Sequence, residues 1–232
     1  MILFCGSAVG ASEINWDMKS FEPDLKNKPS LQNGFKLYVN YCLGCHSLQY
    51  QRYERTANDL WIPHDILETS LIFSDQKKGE LITTAMDPEK AKAWFGVAPP
   101  DLTMVARARD PEWVYNYLKT FYVDDSRPFG VNNKVFENVG MPNALMELQG
   151  TQRLACRPDV KDCREFSIDE GSGLYTEQQF DSAVFDITNF LHYVGDPSQE
   201  ERRDLGVWVL AFLAFLSIFT YLLNREYWKN IH

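Results

Sequence analysis

Two cysteines separated by two residues and followed directly by a histidine constrain this chain more than any other feature. They are Cys42, Cys45 and His46, in the run Cys-Leu-Gly-Cys-His. This is the spacing of c-type haem attachment, in which the two thiols bond to the haem vinyl groups and the imidazole becomes an iron ligand. The motif therefore predicts one covalently bound haem c with His46 as an axial ligand.

Two other kinds of site also use closely spaced cysteines. A zinc site needs a second pair of ligands in a comparable cluster, and the widely spaced Cys156 and Cys163 are a poor one. A thioredoxin-like redox motif normally lies in a β-α-β pattern, which this sequence does not show. Both stay open as alternatives to the haem.

An uncharged apolar run from residue 205 to residue 223 is the second defining feature. At about 1.5 Å per residue, a helix of this length spans roughly 28 Å, close to the hydrocarbon thickness of a bilayer. Aromatic residues near both ends have the placement of interfacial anchors, namely Trp208, Tyr221, Tyr227 and Trp228. The run predicts a transmembrane helix, with a buried helix of a soluble protein as the alternative.

The two ends of the chain define the predicted domains. Residues 1–11 are apolar and end in small residues, which indicates the remnant of a signal peptide with cleavage before Ser12. We expect a haem domain over residues 12–198, a membrane anchor over 199–224 and a short tail over 225–232. Basic residues flank the span equally, so charge does not orient it. Haem attachment to thiols takes place in the periplasm, which predicts a periplasmic haem domain and a cytoplasmic C-terminus.

Composition and periodicity limit the fold class. With 45% hydrophobic residues the chain can bury a core, and its formal net charge of −9 argues against binding nucleic acid. Apolar residues at helical spacing predict helices from Asn33 to Cys42, in pieces between residues 56 and 100, from Pro111 to Leu118 and from Thr176 to Val194. No alternation is long enough for a large sheet, and residues 121–150 are mostly loop. A mainly α fold follows.

A second axial ligand is needed if the iron is to exchange electrons without binding small molecules. Met141 is the best candidate, because Gly140 permits close approach to a haem face and Pro142 stiffens the loop. A thioether ligand favours ferrous iron and raises the potential. The candidates that remain open are Met86, Met104, Met146, His64 and His192.

The order of motifs resembles that of the cytochrome c1 family, bacterial type. The C-x-x-C-H motif is followed by Ala98-Pro99-Pro100-Asp101-Leu102, Arg107-Ala108-Arg109, Gly140-Met141-Pro142 and one terminal apolar helix, so the resemblance covers nearly the whole chain after residue 11. It implies a class I cytochrome c-like domain with loop insertions. Gly34, Tyr38 and Cys42 match the spacing of the helix that precedes the haem motif in such domains. It also implies that Met141 is the axial ligand, that Pro100 packs near the haem, and that Arg109 is the partner of a haem propionate. An exposed helical arginine is the alternative for Arg109.

The resemblance implies a function in a respiratory chain. Members of this family are the electron-carrier subunit of quinol:cytochrome c reductase, the cytochrome bc1 complex of the bacterial inner membrane. They take electrons from the Rieske iron-sulfur protein and pass them to a soluble or membrane-bound cytochrome c. The implied partners are these two proteins and cytochrome b, and the chain has no substrate-converting site of its own. A free-standing membrane-anchored cytochrome c that feeds an oxidase or peroxidase is the alternative, and a thiol-redox protein without haem is a third hypothesis.

Three features are not settled by the resemblance. Phe95 stands where many members carry asparagine, so a polar haem contact there is in doubt. Cys156 and Cys163 are expected to form a disulfide in an oxidising compartment, with free thiols as the alternative. Residues 159–181 carry seven acids against two bases, which indicates either a solvated loop or a docking surface for a basic redox partner.

The predicted domain limits can be tested by truncation after Pro197. Because no haem ligand and no Asp, Glu, Lys or Arg lies within the apolar run, the fragment should be soluble and should retain covalent haem. The measurement is a haem stain of the exported fragment on a denaturing gel, in a host with the haem-attachment system. A soluble fragment without haem would show that the boundary is wrong.

Overall fold

The computed structural model describes residues 16–156 and 163–229 and is mainly helical within these ranges, with short pairs of strands. This confirms the predicted fold class. The signal-peptide prediction for residues 1–11 lies outside the described residues. The helices are α1 Lys28–Tyr41, α2 Tyr53–Asp59, α3 His64–Ser70, α4 Pro88–Phe95, α5 Val105–Ala108, α6 Pro111–Lys119, α7 Met146–Gln149, α8 Glu177–Gly195 and α9 Gln199–Trp228.

The strands form antiparallel pairs rather than a large sheet, as the sequence predicted for the described residues. They are β1 Leu48–Arg52 with β2 Leu81–Ile82, β3 Phe121–Val123 with β4 Val131–Asn133, and β5 Gln152–Leu154 with β6 Phe166–Ile168. In the second pair Phe121 faces Asn133 and Val123 faces Val131. The β3–β4 hairpin and α7 fall in the stretch predicted as mostly loop.

Helix α1 delivers the Cys-x-x-Cys-His turn to the core. It begins at Lys28, earlier than the predicted Asn33, because the Asn27 side chain accepts a hydrogen bond from the Ser30 backbone N–H at 3.1 Å and caps the helix. Leu31, Phe35 and Tyr38 follow at helical spacing and are fully buried. The helix therefore presents one apolar face and ends at the first cysteine of the motif.

Helix α8 is the partner of α1 and carries the predicted apolar face. Its bounds agree with the prediction to within one residue, and Phe180, Val184 and Ile187 are buried in the main core. Helix α6 also packs against α8. It begins where predicted, because Asp110 caps its first turn by accepting from the Glu112 N–H at 3.0 Å ahead of Pro111.

Gly34 is the point of closest approach between α1 and α8. A Cβ atom at this position would overlap the backbone carbonyl of Asp186 and would lie 2.7 Å from the Cβ of Phe190. Polar bonds hold the same contact, since Ser30 Oγ donates to Asp186 Oδ1 at 2.5 Å and Asn33 Nδ2 donates to Asp186 Oδ2 at 2.7 Å. Only glycine allows the two backbones to come this close.

The chain divides into two compact units between Gly195 and Asp196. The second unit consists mainly of α9, whose side chains are largely exposed along its length. It is the one helix of the described residues that is long and apolar enough to cross a bilayer. Arg202 makes two hydrogen bonds of 2.6 Å to the Asp196 carboxylate, so the segment before α9 is tied to its first turns.

We expect Gly34→Ala to lower the free energy of unfolding by about 1–3 kcal/mol, the usual cost of overpacking a core. In an open helix the same change stabilises by up to about 1 kcal/mol, so the sign distinguishes close packing from helix propensity. The measurement is urea unfolding followed by tryptophan fluorescence. Gly79→Ala is the control, because a Cβ there meets nothing within 4 Å. Equal stabilities of the two variants would contradict the close contact.

Candidate haem site

The Cys-x-x-Cys-His turn is closed by backbone hydrogen bonds directly after α1. The N–H groups of Cys45 and His46 both donate to the carbonyl oxygen of Cys42, at 3.0 and 2.9 Å. The buried hydroxyl of Tyr38 donates to the His46 carbonyl oxygen at 2.5 Å. This single turn sets the positions of both thiols and of the imidazole relative to α1.

His46 is 8% exposed, and its ring is oriented by the Pro-Pro segment. Nδ1 lies 2.7 Å from the carbonyl oxygen of Pro100. A carbonyl oxygen can only accept, so Nδ1 carries the proton and Nε2 keeps its lone pair. Burial lowers the pKa of His46, although the Pro100 carbonyl and Asp101 oppose the shift. The imidazole is therefore held neutral, which is the form that binds a metal ion.

The two thiols of the motif are sheltered from water. Burial raises the pKa of Cys42 to about 12, and the neighbouring Cys45 adds to the effect. Burial likewise raises the pKa of Cys45. Both groups are therefore neutral thiols at pH 7, unlike the exposed, activated thiolates of redox enzymes.

A mainly apolar cavity of about 310 Å³ lies beside this turn. Its volume is at the lower end of the roughly 300–1,000 Å³ that small-molecule and cofactor sites occupy. The residues predicted to hold a haem all line it, namely Cys42, Cys45, His46, Pro100, Arg109 and Met141. The structure thus brings the residues of four separate sequence motifs to one cavity. Two thiols, a neutral imidazole, a thioether and apolar walls fit a haem c.

Met141 is the only described methionine that lines the cavity. The hydroxyl of Tyr117 donates to its Sδ at 3.3 Å. Val139, two residues earlier, is buried in a small cluster with Phe121 and Val131. At Gly140 a Cβ would approach the carbonyl oxygen of Phe95 to 3.3 Å, so a small residue suits the close passage of the loop.

The competing ligands do not line this cavity. Met104 is 45% exposed, and Met146 packs on the small cluster that contains Val139. His64 lies in α3, where its Nε2 is 2.9 Å from Asn58 Oδ1. His192 lies in α8 but does not contribute to the lining. The described residues contain no group of three or more His, Cys, Asp or Glu that could hold a metal ion, which disfavours the zinc alternative.

An aromatic row along α6 forms one wall and was not predicted. The guanidinium of Arg109 lies 5.4 Å from the ring centroid of Trp113, and Trp113 stacks on Tyr117 with centroids 4.9 Å apart. All three residues line the cavity. Trp113 and Tyr117 are four residues apart in α6, which was a readable signal because such residues share one helix face, whereas Arg109 precedes this helix. Ile187 and Leu191 of α8, also four residues apart, line the same cavity.

The structure also shows the surroundings of Phe95 and of the two cysteines whose pairing the sequence left open. Phe95 lines the cavity and packs on Phe129 with centroids 5.6 Å apart, so this wall is apolar where a polar contact was in doubt. Cys156 and Cys163 form a disulfide with Cα atoms 5.6 Å apart.

The acidic segment is only partly described, since residues 157–162 lie outside the described ranges. Within the described part, Asp169 pairs with Arg153 at 3.0 Å and Asp181 pairs with Lys119. These pairs lower the charge available for docking a basic partner.

Comparisons with known proteins show what the chain is similar to. Cytochrome c1 of Allochromatium vinosum is 50% identical, covering 100% of this chain and 96% of the relative. The ammonia monooxygenase gamma subunit of Nitrosomonas europaea is 42% identical over 90% of this chain and 86% of its own length. A chain of a hyperthermophilic respiratory Complex III is 18% identical, with a TM-score of 0.45 over 94% of this chain and 89% of that one. The model of the cytochrome C1 family matches residues 18–231, and the chain therefore belongs to this family, whose cofactor is haem c.

Proposed function

We propose that this chain is the electron-transfer subunit of a respiratory quinol:cytochrome c reductase, taking electrons from a Rieske iron-sulfur protein and passing them to cytochrome c. The observation that carries the proposal is the single cavity lined by both thiols of the motif, a neutral imidazole and one thioether. Membership of the cytochrome c1 family supports the same function. A bound haem c supplies one-electron chemistry at its iron.

The chain's own residues bind and orient the cofactor. The sulfurs of Cys42 and Cys45 would form thioether bonds to the two vinyl groups, each S–H adding across one vinyl double bond and its proton passing to vinyl carbon. Nε2 of His46 would be one ligand of the iron, because Nδ1 is engaged with Pro100. Sδ of Met141 would be the other. Arg109, which is exposed and lies 5.4 Å from the Trp113 ring centroid, would be the partner of a propionate.

Family membership and α9 together indicate a membrane-anchored protein. We infer that the haem domain is periplasmic in the bacterial inner membrane and that the C-terminal tail is cytoplasmic, because thiol attachment of haem takes place in the periplasm. Helix α9 anchors the chain and takes no part in electron transfer. Its apolar stretch contains no Cys, Met or His that could bind a haem, and no Asp, Glu, Lys or Arg.

Cytochrome b and the Rieske protein are the expected partners within the membrane. A free-standing cytochrome c is the competing function, and the Nitrosomonas europaea relative carries the name of an ammonia monooxygenase subunit. Affinity purification of the tagged chain from native membranes decides among these. We expect cytochrome b and the Rieske protein in stoichiometric amounts. Recovery of the chain alone, or with monooxygenase or oxidase subunits, would reject the reductase.

We expect Met141→Leu to retain covalent haem, because the bonds to Cys42 and Cys45 do not depend on the sixth ligand. The ferrous haem should bind carbon monoxide, since leucine leaves that position open. Loss of the thioether should lower the potential by on the order of 0.1 V, part of the roughly 0.8 V range set by axial ligation. Quinol oxidation should then stall, because reduction by the iron-sulfur protein becomes unfavourable.

Met104→Leu is the matched control, because Met104 is half-exposed and lies outside the cavity lining. This variant should keep the parent potential and should not bind carbon monoxide. The measurements are a redox titration and a ferrous carbon monoxide difference spectrum. If Met141→Leu keeps the parent potential and a six-coordinate spectrum, the assignment of Met141 is wrong.

A further inference from the structure

The loop that carries Met141 leaves the β3–β4 hairpin through a residue in an unusual conformation. Asn138 has φ +59°, in the left-handed region that asparagine tolerates better than other side chains except glycine. It lies three residues before Met141. A change in φ at this residue would redirect the chain that follows, so the conformation of Asn138 bears directly on the position of the sulfur.

Three hydrogen bonds hold Asn138 in place. Arg127 donates from Nη1 to the Asn138 side-chain oxygen at 3.0 Å and from Nη2 to its backbone oxygen at 3.1 Å. The backbone N–H of Asn138 donates to Asn132 Oδ1 at 2.9 Å. The backbone donor, the backbone acceptor and the side-chain acceptor of this one residue are therefore all bonded, and two of the three bonds come from one guanidinium. We name Arg127, Asn132 and Asn138 the amide clamp.

The amide clamp is itself anchored to the hairpin. Asn132 lies in β4, is 8% exposed and donates from Nδ2 to Asp124 Oδ2 at 3.0 Å. Asp124 is also bonded to Ser126, whose hydroxyl donates to Oδ1 at 2.6 Å. The bond from Ser126, with smaller effects of Asn132 and the Arg127 charge, lowers the pKa of Asp124. The carboxylate is thus charged near pH 7 and draws Arg127 toward the same turn.

From the amide clamp to the sulfur, the path is short and closely packed. Val139 is 5% exposed in its cluster, Gly140 passes close to the carbonyl oxygen of Phe95, and Sδ of Met141 accepts from Tyr117. Packing holds Val139 and Gly140, whereas the hydrogen bonds of the amide clamp hold Asn138. Arg127 is half-buried and does not line the cavity, so it acts on Met141 only through the loop.

We propose that Arg127 is a positioning residue for the axial thioether: by holding Asn138 in the left-handed conformation, it keeps Met141 Sδ at the iron. This inference rests on the proposed ligation by Met141 and names what maintains it. A thioether is a neutral and weak ligand, so its occupancy depends on how little conformational freedom its loop has to lose. Without the guanidinium, the loop samples conformations in which the sulfur is away from the iron, and the open position becomes available to other ligands.

The test uses the full-length chain in membranes, with covalent haem, carbon monoxide binding and reduction potential as readouts. Arg127→Ala should retain the haem stain, since the covalent bonds from Cys42 and Cys45 to the haem do not involve the loop that carries Met141. The ferrous haem should gain carbon monoxide binding. At a fixed potential, the ratio of ferrous to ferric haem should fall at least tenfold, which corresponds to a reduction potential lower by 59 mV for a one-electron couple. Arg127→Lys should lie between Arg127→Ala and the parent in both carbon monoxide binding and potential, because an ammonium can still reach one Asn138 oxygen.

Arg153→Ala is the matched control. Arg153 lies in β5, whereas Arg127 lies in the turn between β3 and β4, and Arg153 Nε likewise donates to a polar partner, the two carboxylate oxygens of Asp169, at 3.3 and 3.0 Å. It has no bond to the Met141 loop among those the structure describes. This variant should keep the parent potential and should remain unable to bind carbon monoxide. An equal effect of the two arginine substitutions would show a general loss of stability and would overturn the positioning role.

Substitutions at Asn138 separate the backbone conformation from the side-chain bond and decide the matter if Arg127→Ala does not accumulate. Asn138→Gly keeps the left-handed conformation and both backbone bonds. At a fixed potential, its ratio of ferrous to ferric haem should therefore stay within a factor of two of the parent ratio. Asn138→Val is strained there because a β-branched residue rarely adopts a positive φ. Ferrous haem in Asn138→Val should bind carbon monoxide, and the ratio of ferrous to ferric haem at a fixed potential should be at least tenfold lower than in the parent. Equal behaviour of Gly and Val would overturn the proposal.

Failure of the proposal and failure of the ligand assignment give different results. If Met141→Leu changes the potential and Arg127→Ala does not, ligation by Met141 stands and the amide clamp has no positioning role. If Met141→Leu itself keeps the parent potential, the ligand assignment fails, and the role of Arg127 fails with it.

Discussion

The structure of this haem site depends on the close packing of α1 against α8 at Gly34. The Cys-x-x-Cys-His turn follows α1 directly, so the position of α1 sets the positions of both thiols and of His46. Helix α8 supplies Ile187 and Leu191 to the cavity wall, so the same contact fixes the width of the cavity. A side chain at residue 34 would push the two helices apart. The hydrogen bonds from Ser30 and Asn33 to Asp186 join the two helices at the same point. Both close packing and polar bonds therefore hold α1 against α8.

The two sides of the cavity are built by different means. On the His46 side, one helix end, one backbone turn and the Pro100 carbonyl suffice, and most of the residues involved are close in sequence. On the Met141 side there is no long helix to position the sulfur. Amide side chains do this work: Asn133, which is fully buried, accepts at Oδ1 from the backbone N–H groups of Val135 and Phe136 at 2.9 and 3.0 Å. Such bonds give a loop a defined path without regular secondary structure.

This difference explains which features could be predicted from the sequence. The haem motif, the helix at Pro111 and the helix that ends at Gly195 rest on local signals, a fixed spacing or a cap, and the structure has them where expected. The β3–β4 hairpin was missed because part of its bonding reaches beyond the neighbouring residues: Asn132 bonds to Asp124, eight residues away, and Asn133 bonds to Tyr117, sixteen residues away. Likewise, Tyr117 gave no local sign of reaching Met141, although its spacing from Trp113 placed both residues on the same face of α6. Propensity and periodicity describe elements, whereas such bonds depend on how the elements come together.

The composition of the cavity bears on the potential of a haem bound as proposed. The two axial candidates are uncharged, since burial keeps the His46 imidazole neutral and Met141 contributes a thioether. Arg109 is the only charged residue among those lining the cavity in the described part of the chain. Ferric iron carries one more positive charge than ferrous iron, and an apolar environment disfavours the more highly charged state. A positive guanidinium and a thioether favour the ferrous state as well. All three effects raise the potential, and a high potential is what an acceptor of electrons from an iron-sulfur protein requires.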